Sequence, residues 1–257
     1  IATVTRQKYL TASEKGPWAN SYDRWRNDNL TNRYQGVQFG YTSAGRYTSW
    51  NDIWSYPGYK ERDILPGDYK YEDWNGDGEI NGQDEHPFAF DQTPWLQFSL
   101  NAGLQWKNLD FNMLLQGSAL GSMEYKEPLH EIWGKNGGGA LTQFLDRWHP
   151  VDPKADPYDP STVWTSGHYA YTGRWAKNNS AFNRVSTAYL RLKSIELGYT
   201  FPKLKQIPNA SLRIYANAYN LLTFTGVKFV DPEHPDDDLG RMYPLNKTYT
   251  LGVSLSF

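Results

Sequence analysis

Apolar and polar residues alternate along much of this chain, and helical periodicity is almost absent. Leu96, Phe98, Leu100, Ala102, Leu104 and Trp106 alternate with Gln97, Ser99, Asn101, Gly103 and Gln105, which gives a strand one apolar and one polar face. Lys107-Asn108 then forms a tight turn, because Asn tolerates turn geometry. A second strand at about 109–119 sets Leu109, Phe111, Met113 and Leu115 against Asp110, Asn112, Gln116 and Ser118. Residues 187–201 end with Ile195, Leu197, Tyr199 and Phe201 on one face. Leu190 and Leu192 have the other parity, which predicts a bulge near Lys193-Ser194. Residues 210–221 place Leu212, Ile214, Ala216 and Ala218 opposite Arg213, Tyr215, Asn217 and Tyr219. In the last strand Tyr249, Leu251, Val253, Leu255 and Phe257 alternate with Thr248, Thr250, Gly252, Ser254 and Ser256. A further strand at 1–9 brings the set to roughly six strands of about ten residues, the length that crosses a bilayer when tilted.

The connections alternate in length. Tight links fall at 106–108 and 202–209, and long ones at about 10–94, 120–186 and 222–246. Transmembrane barrels show this asymmetry, with short periplasmic turns and long extracellular loops. A soluble sandwich seldom gathers all its long excursions at one end. The expected class is therefore all-β: an antiparallel transmembrane β-barrel with long extracellular loops. Six strands cannot close a large cylinder, and open edges in lipid are not tolerated, so the remainder of the barrel is an expected partner. Ile1 is not an initiator Met and no signal peptide is visible, so the chain is expected to begin inside a longer protein.

Composition narrows the function classes. The aromatic fraction is 16%, and large aromatics suit strands, ligand surfaces and membrane interfaces. Net charge is −2 with Lys and Arg scattered, so nothing invites nucleic acid. The absence of cysteine excludes disulfides and thiolate metal sites.

Asp73-Trp-Asn75-Gly-Asp77-Gly78-Glu79-Ile80-Asn81-Gly-Gln-Asp84 fits the calcium-loop pattern. Asp73, Asn75 and Asp77 supply side-chain oxygens, Gly78 the sharp turn, Glu79 a backbone carbonyl and Asp84 the closing acid. Calcium is expected as a structural clamp, with Ile80 anchoring the loop. The plainer reading is a polar turn without metal. Asp231-Pro-Glu233-His234-Pro-Asp236-Asp237-Asp238 is a second acidic cluster, read as a hydrated loop rather than a catalytic pair. Histidines 86, 130, 149, 168 and 234 lack close metal spacing. No nucleophile elbow occurs, so no active site and no enzyme are expected. Trp133, Trp148, Trp164, Tyr169, Tyr171 and Trp175 crowd the 120–186 loop, where they either pack the loop or contact a sugar or peptide.

Several stretches in order resemble the SusC/RagA family of TonB-dependent outer-membrane transporters. They are Pro66-Gly67-Asp68-Tyr69-Lys70-Tyr71 with the loop that follows, Tyr189 to Pro202, Leu212-Arg213-Ile214-Tyr215, Asn220-Leu221-Leu222-Thr223, Asp231-Pro232-Glu233, Tyr243-Pro244, and Thr248 to Gly252. The resemblance implies a plugged barrel of roughly 22 strands. Residues 1–257 would be the C-terminal portion of its barrel domain, without the plug or N-terminal part. It also implies import of oligosaccharides or peptides with a SusD-like surface lipoprotein, energised by the TonB complex through the missing plug. The terminal Phe257 resembles the signal read by barrel-assembly machinery, or serves as an aromatic belt residue in the lipid bilayer. The competing reading is a secreted, calcium-stabilised all-β glycan-binding module or glycoside hydrolase.

Overall fold

The computed structural model describes residues 1–10, 32–58, 63–126, 129–130, 140–171, 179–202, 210–234 and 240–256. In chain order its strands are β1 (Ala2–Val4), β2 (Gln38–Gly40), β3 (Ser43–Arg46), β4 (Tyr69–Tyr71), β5 (His86–Ala89), β6 (Leu96–Trp106) and β7 (Leu109–Ala119). Next come β8 (Ser122–Glu124), β9 (His149–Pro150), β10 (Trp164–Thr165), β11 (Arg184–Ser186), β12 (Tyr189–Phe201), β13 (Ser211–Thr225) and β14 (Thr248–Ser256). A short helix, α1 (Trp50–Ser55), is capped by the Ser49 side chain, which accepts from the Asp52 amide. No helix among the described residues is long and apolar enough to cross a membrane.

The main sheet has six strands in the order β1-β6-β7-β12-β13-β14, antiparallel throughout. The expected strands are present with adjusted ends. The first is confined to Ala2–Val4, and β13 runs on to Thr225. At the tight 107–108 turn it is Lys107, with φ 54°, that takes the left-handed conformation. Phe257 and residues 203–209 of the expected second turn lie outside the described residues.

Register lines up the apolar rows across strands. Leu104 pairs with Phe111, Phe111 with Leu197, Leu197 with Ala216, and Ala216 with Leu251. The next row runs Trp106, Leu109, Tyr199, Ile214 and Val253. This face is open to the surroundings: Leu104 is 66% exposed and Leu251 77%. The opposite polar face holds the least accessible groups of the sheet, with Arg191 at 1% and Ser118 at 5%. A soluble sandwich buries its apolar face, and a contiguous exposed apolar sheet of this extent marks a membrane or protein contact. The polarity here is that of a wall with lipid outside and water inside.

The expected bulge is present. Leu192 pairs with Leu115 and Ser194 with Leu114, so Lys193 is an extra residue that brings Leu190 and Leu192 onto the same face as Ile195. A second irregularity follows in β13, where Leu222 pairs with Leu192 and Tyr219 with Ser194. Asn220, at φ 52°, accommodates it.

The long connections lie together at the other end from the 107–108 turn, and they fold upon one another. Paired short strands (β2 with β5, β3 with β4, β8 with β11, β9 with β10) give them internal order. Tyr41, Tyr71 and Ile80 form a small core with Tyr69 and Phe182, joining the first long loop to the second. Trp148 lies against Gly67, where a Cβ would come within 2.3 Å of the indole. Only glycine fits there, and its φ of 92° points the same way.

Candidate functional site

The sheet's polar face carries two ion clusters. Toward the tight-turn end, Arg213 on β13 reaches across β12 to Asp110 on β7 at 2.5 Å and to Glu196 on β12 at 2.7 Å. Gly198 leaves the space for this crossing, since a Cβ there would meet Arg213 Nη2 at 2.5 Å. Toward the loop end, Arg191 donates to Asp231 at 2.5 Å, to Glu233 at 2.6 Å and to Thr223 Oγ1 at 3.1 Å. The acidic 231–233 segment, expected to be hydrated, is thus clamped onto a buried guanidinium. The reason is topological, because the loop after β13 folds back over the polar face where Arg191 points. Asp231 and Glu233 keep partial exposure, 24% and 44% of their side chains. Residues 235–239, including the Asp236-Asp237-Asp238 run, lie outside the described residues.

Cavities adjoin this layer and the outer loops. One, of about 570 Å³, lies on the polar face beneath Pro232, Glu233 and His234. Another, of about 650 Å³, lies within the outer loops and is lined by Arg46, Tyr69, Tyr125, Tyr169, Phe182 and Lys228 among others. Arg46 there sits 4.4 Å from the Tyr69 ring centroid and donates to the carbonyls of Gly67 and His168. Of the loop aromatics singled out in the sequence, Tyr169 lines the second cavity and packs edge-on against Phe144 at 4.6 Å. Trp164 meets Tyr171 edge-on at 5.3 Å, and Trp148 is buried. Trp133 and Trp175 lie outside the described residues. Burial drives the pKa of His130, beside this cavity, down to about 4 against weaker opposition from Glu124.

In the Asp73–Asp84 loop the acidic and amide oxygens fold inward through local hydrogen bonds. Asp73 accepts from the Gly76, Asp77 and Gly78 amides, Asn75 Oδ1 from the Asp77 amide, and Asp77 Oδ1 from the Glu79 amide. Asp84 is fully buried and accepts from the amides of Trp74, Asn75 and Asn81. Burial raises its pKa; those three amides oppose the shift, while the Asp73 charge adds to it. Gly76 and Gly78 take φ of 72° and 84°, which lets the loop curl. The donor set is hard oxygen, the chemistry calcium prefers, with Asp73 Oδ1 and Asp84 Oδ1 each accepting two amides and Asp73 Oδ2 and Asp84 Oδ2 one. Among the described residues, no three His, Asp or Glu side chains gather around one point. Ile80 is buried in the loop-layer core, and Trp74 stacks on His86 at 4.7 Å.

Sequence reasoning missed Arg191 as an anchor, although its place in the polar row of an otherwise apolar strand was a signal. Thr187, buried beside the first cavity, carried no local pattern, and His234, buried there too, was read only as part of the hydrated acidic loop and as a histidine without metal spacing.

No protein-family model matches the chain. It is 28% identical over 211 residues to the TonB-dependent receptor P3 of Formosa agariphila, covering 76% of the chain and 19% of that protein. To the TonB-dependent receptor P26 of the same organism it is 27% identical over 239 residues, covering 87% of the chain and 22% of the relative. Its fold matches a solved structure of the RagAB peptide transporter with a TM-score of 0.57 at 20% identity, covering 85% of the chain and 22% of that one. The closed-closed state of the RagAB peptide importer gives 0.55 at 19%, covering 85% and 23%. The architecture is that of a transporter β-barrel wall. In fold, in the order of its motifs and in sequence, the chain is similar to SusC/RagA-type TonB-dependent transporters. It spans about a fifth of the length of the relatives it matches. Those relatives are receptors and transporters, not enzymes.

Proposed function

We propose that this chain forms part of the wall and outer loops of an outer-membrane importer of oligosaccharides or peptides. In this reading it works with a SusD-like surface lipoprotein and draws its energy from the TonB complex. The observation that carries the proposal is the two-faced sheet, apolar outward along every row and ionic on the inner side. Similarity to the TonB-dependent receptors of Formosa agariphila and to the RagAB importer supports it. The folded outer loops form the surface a lid partner and substrate would meet first. A calcium ion held by Asp73, Asn75, Asp77, the Glu79 carbonyl and Asp84 is part of the proposal. Its role is to clamp the loop that Ile80 roots in the outer core.

The test uses the full-length protein expressed in a Gram-negative outer membrane. It should require detergent for extraction, and uptake of labelled oligosaccharide or peptide should stop when TonB is deleted. Recovery as a monodisperse, folded protein in plain buffer would overturn the membrane reading. Uptake unaffected by TonB deletion would overturn the energised one.

A further inference from the structure

The cavity of about 650 Å³ within the outer loops carries a charge that its own walls do not balance. Among the described residues, the side chains lining it that are ionised at neutral pH are Arg46, Asp146, Arg184 and Lys228. Arg184 faces Glu124 at 3.8 Å. Arg46 donates to the carbonyls of Gly67 and His168, dipoles that hold a guanidinium in place without cancelling its charge. It lies over the Tyr69 ring at 4.4 Å and the Phe182 ring at 5.6 Å. Lys228 is exposed, and Tyr125 fixes its backbone: the phenol accepts from the Lys228 amide and donates to the Lys228 carbonyl, both at 2.9 Å. Neither Arg46 nor Lys228 forms an ion pair among the described residues. Asp146 instead accepts from the His168 amide at 3.3 Å. Two cations against one carboxylate leave a surplus of one positive charge.

The two unpaired cations act on the same place. Burial first, and then the charges of Arg46 and Lys228, hold the His168 imidazole below its ordinary pKa against the opposing pull of Asp146. An anion beside His168 would therefore meet both fields. His168, Asp146 and Lys228 are exposed, so the cavity is open to entry from solvent. Its remaining walls include the rings of Tyr69, Tyr125, Tyr169 and Phe182, which suit a flat or apolar body. A surplus of one charge matches a monoanion, whereas a dianionic phosphate would bring a second charge without a partner. We propose that the outer-loop cavity binds a carboxylate carried on an aromatic or apolar body. Lys228 and Arg46 hold the charge, and the aromatic wall holds the body. The site shares no lining residue with the cavity on the polar face and goes beyond the import reading.

Calorimetric titration of the full-length protein in non-ionic detergent tests it. Phenylacetate stands for a free acid, and acetyl-Gly-Gly-Phe for a carboxylate that ends a longer chain. The amide of each, phenethylamine and inorganic phosphate are the controls. At least one acid should bind, its amide should bind about ten-fold more weakly or worse, and added salt should weaken the acid. Whichever acid binds more tightly identifies the source. Lys228→Gln should weaken that binding about five- to ten-fold, Lys228→Glu should abolish it, and Lys228→Arg should retain most of it. The Lys228 side chain is exposed and makes no hydrogen bond among the described residues, so these variants should leave the heat-modifiable barrel band unchanged. Equal affinity for acid and amide, preference for phosphate or the amine, unaltered acid binding in Lys228→Glu, or no binding of either acid at millimolar concentration would each overturn the proposal. Import is scored separately by TonB-dependent uptake, so failure of one reading leaves the other standing.

Discussion

The Arg191 clamp makes an asymmetric prediction. Arg191 is essentially inaccessible, whereas Asp231 and Glu233 see solvent through 24% and 44% of their side chains. Arg191→Met removes two charge-assisted hydrogen bonds, worth about 1.5–3 kcal/mol each when fully buried. The freed carboxylates can rehydrate where they stand, and solvent screening discounts Glu233 most. A net cost of about 2 kcal/mol to loop closure follows. The double variant Asp231→Asn with Glu233→Gln leaves the guanidinium in place without a counter-charge. An uncompensated buried charge costs about 3–5 kcal/mol. Combining all three substitutions removes that charge and should return the cost toward that of Arg191→Met alone.

Amide hydrogen exchange on the full-length protein in detergent reads this directly. The reporters are the His234 amide, bonded to the Asp231 carbonyl at 2.9 Å, and the Glu233 amide, bonded to Asp231 Oδ1 at 3.0 Å. Peptides covering 226–234 should exchange faster in Arg191→Met, and faster again, by about ten-fold or more, in the double variant. The reasoning is refuted if Arg191→Met opens the loop more than the double carboxylate variant does. A triple variant no better protected than the double would refute it too.

Three further outcomes follow from other parts of the molecule. Leu251→Arg, on the outward row, should cost about 2–4 kcal/mol near the bilayer midplane and impair barrel assembly scored by heat-modifiable migration, whereas Ser254→Arg on the polar face should assemble. Burial depresses the His130 pKa to about 4 from an ordinary 6.5, so the unfolded loop binds the extra proton between those values. Outer-loop stability contributed by His130 is therefore full above about pH 6.5 and lost as pH falls toward 4, which limited proteolysis across that range should register and His130→Gln should abolish. Asp73→Ala with Asp77→Ala should eliminate calcium binding measured by equilibrium dialysis; binding undiminished in that variant would disprove the clamp.

The faces of the main sheet were legible because one register fixes every side chain at once, and alternation states the register openly. The bulges show where that legibility stops. Between the same two rungs, β7 runs from Met113 to Leu115, β12 from Ile195 to Leu192, and β13 from Ala218 to Leu222. The extra residue in β12 flips parity, so the misaligned Leu190 and Leu192 announced it. In β13 the offset relative to β7 is even, Leu222 and Ala218 stay in step, and the irregularity leaves no mark on the pattern. Asn220 alone hinted at it, through its tolerance of positive φ.

The candidate site was hidden for a different reason. The metal-type loop was readable because its donors lie within twelve consecutive positions, Asp73 to Asp84. The pairing of Arg191 with Asp231 and Glu233 spans about forty positions and exists only because the last loop turns back over the polar face. The same fold-back buries His234 at the cavity that Thr187 also lines, two residues with no shared motif. Charge pattern could name the partners: one arginine set in a strand's polar row, and one loop rich in acids. It could not supply the geometry that joins them, and that geometry turns an acidic loop into the roof of a chamber.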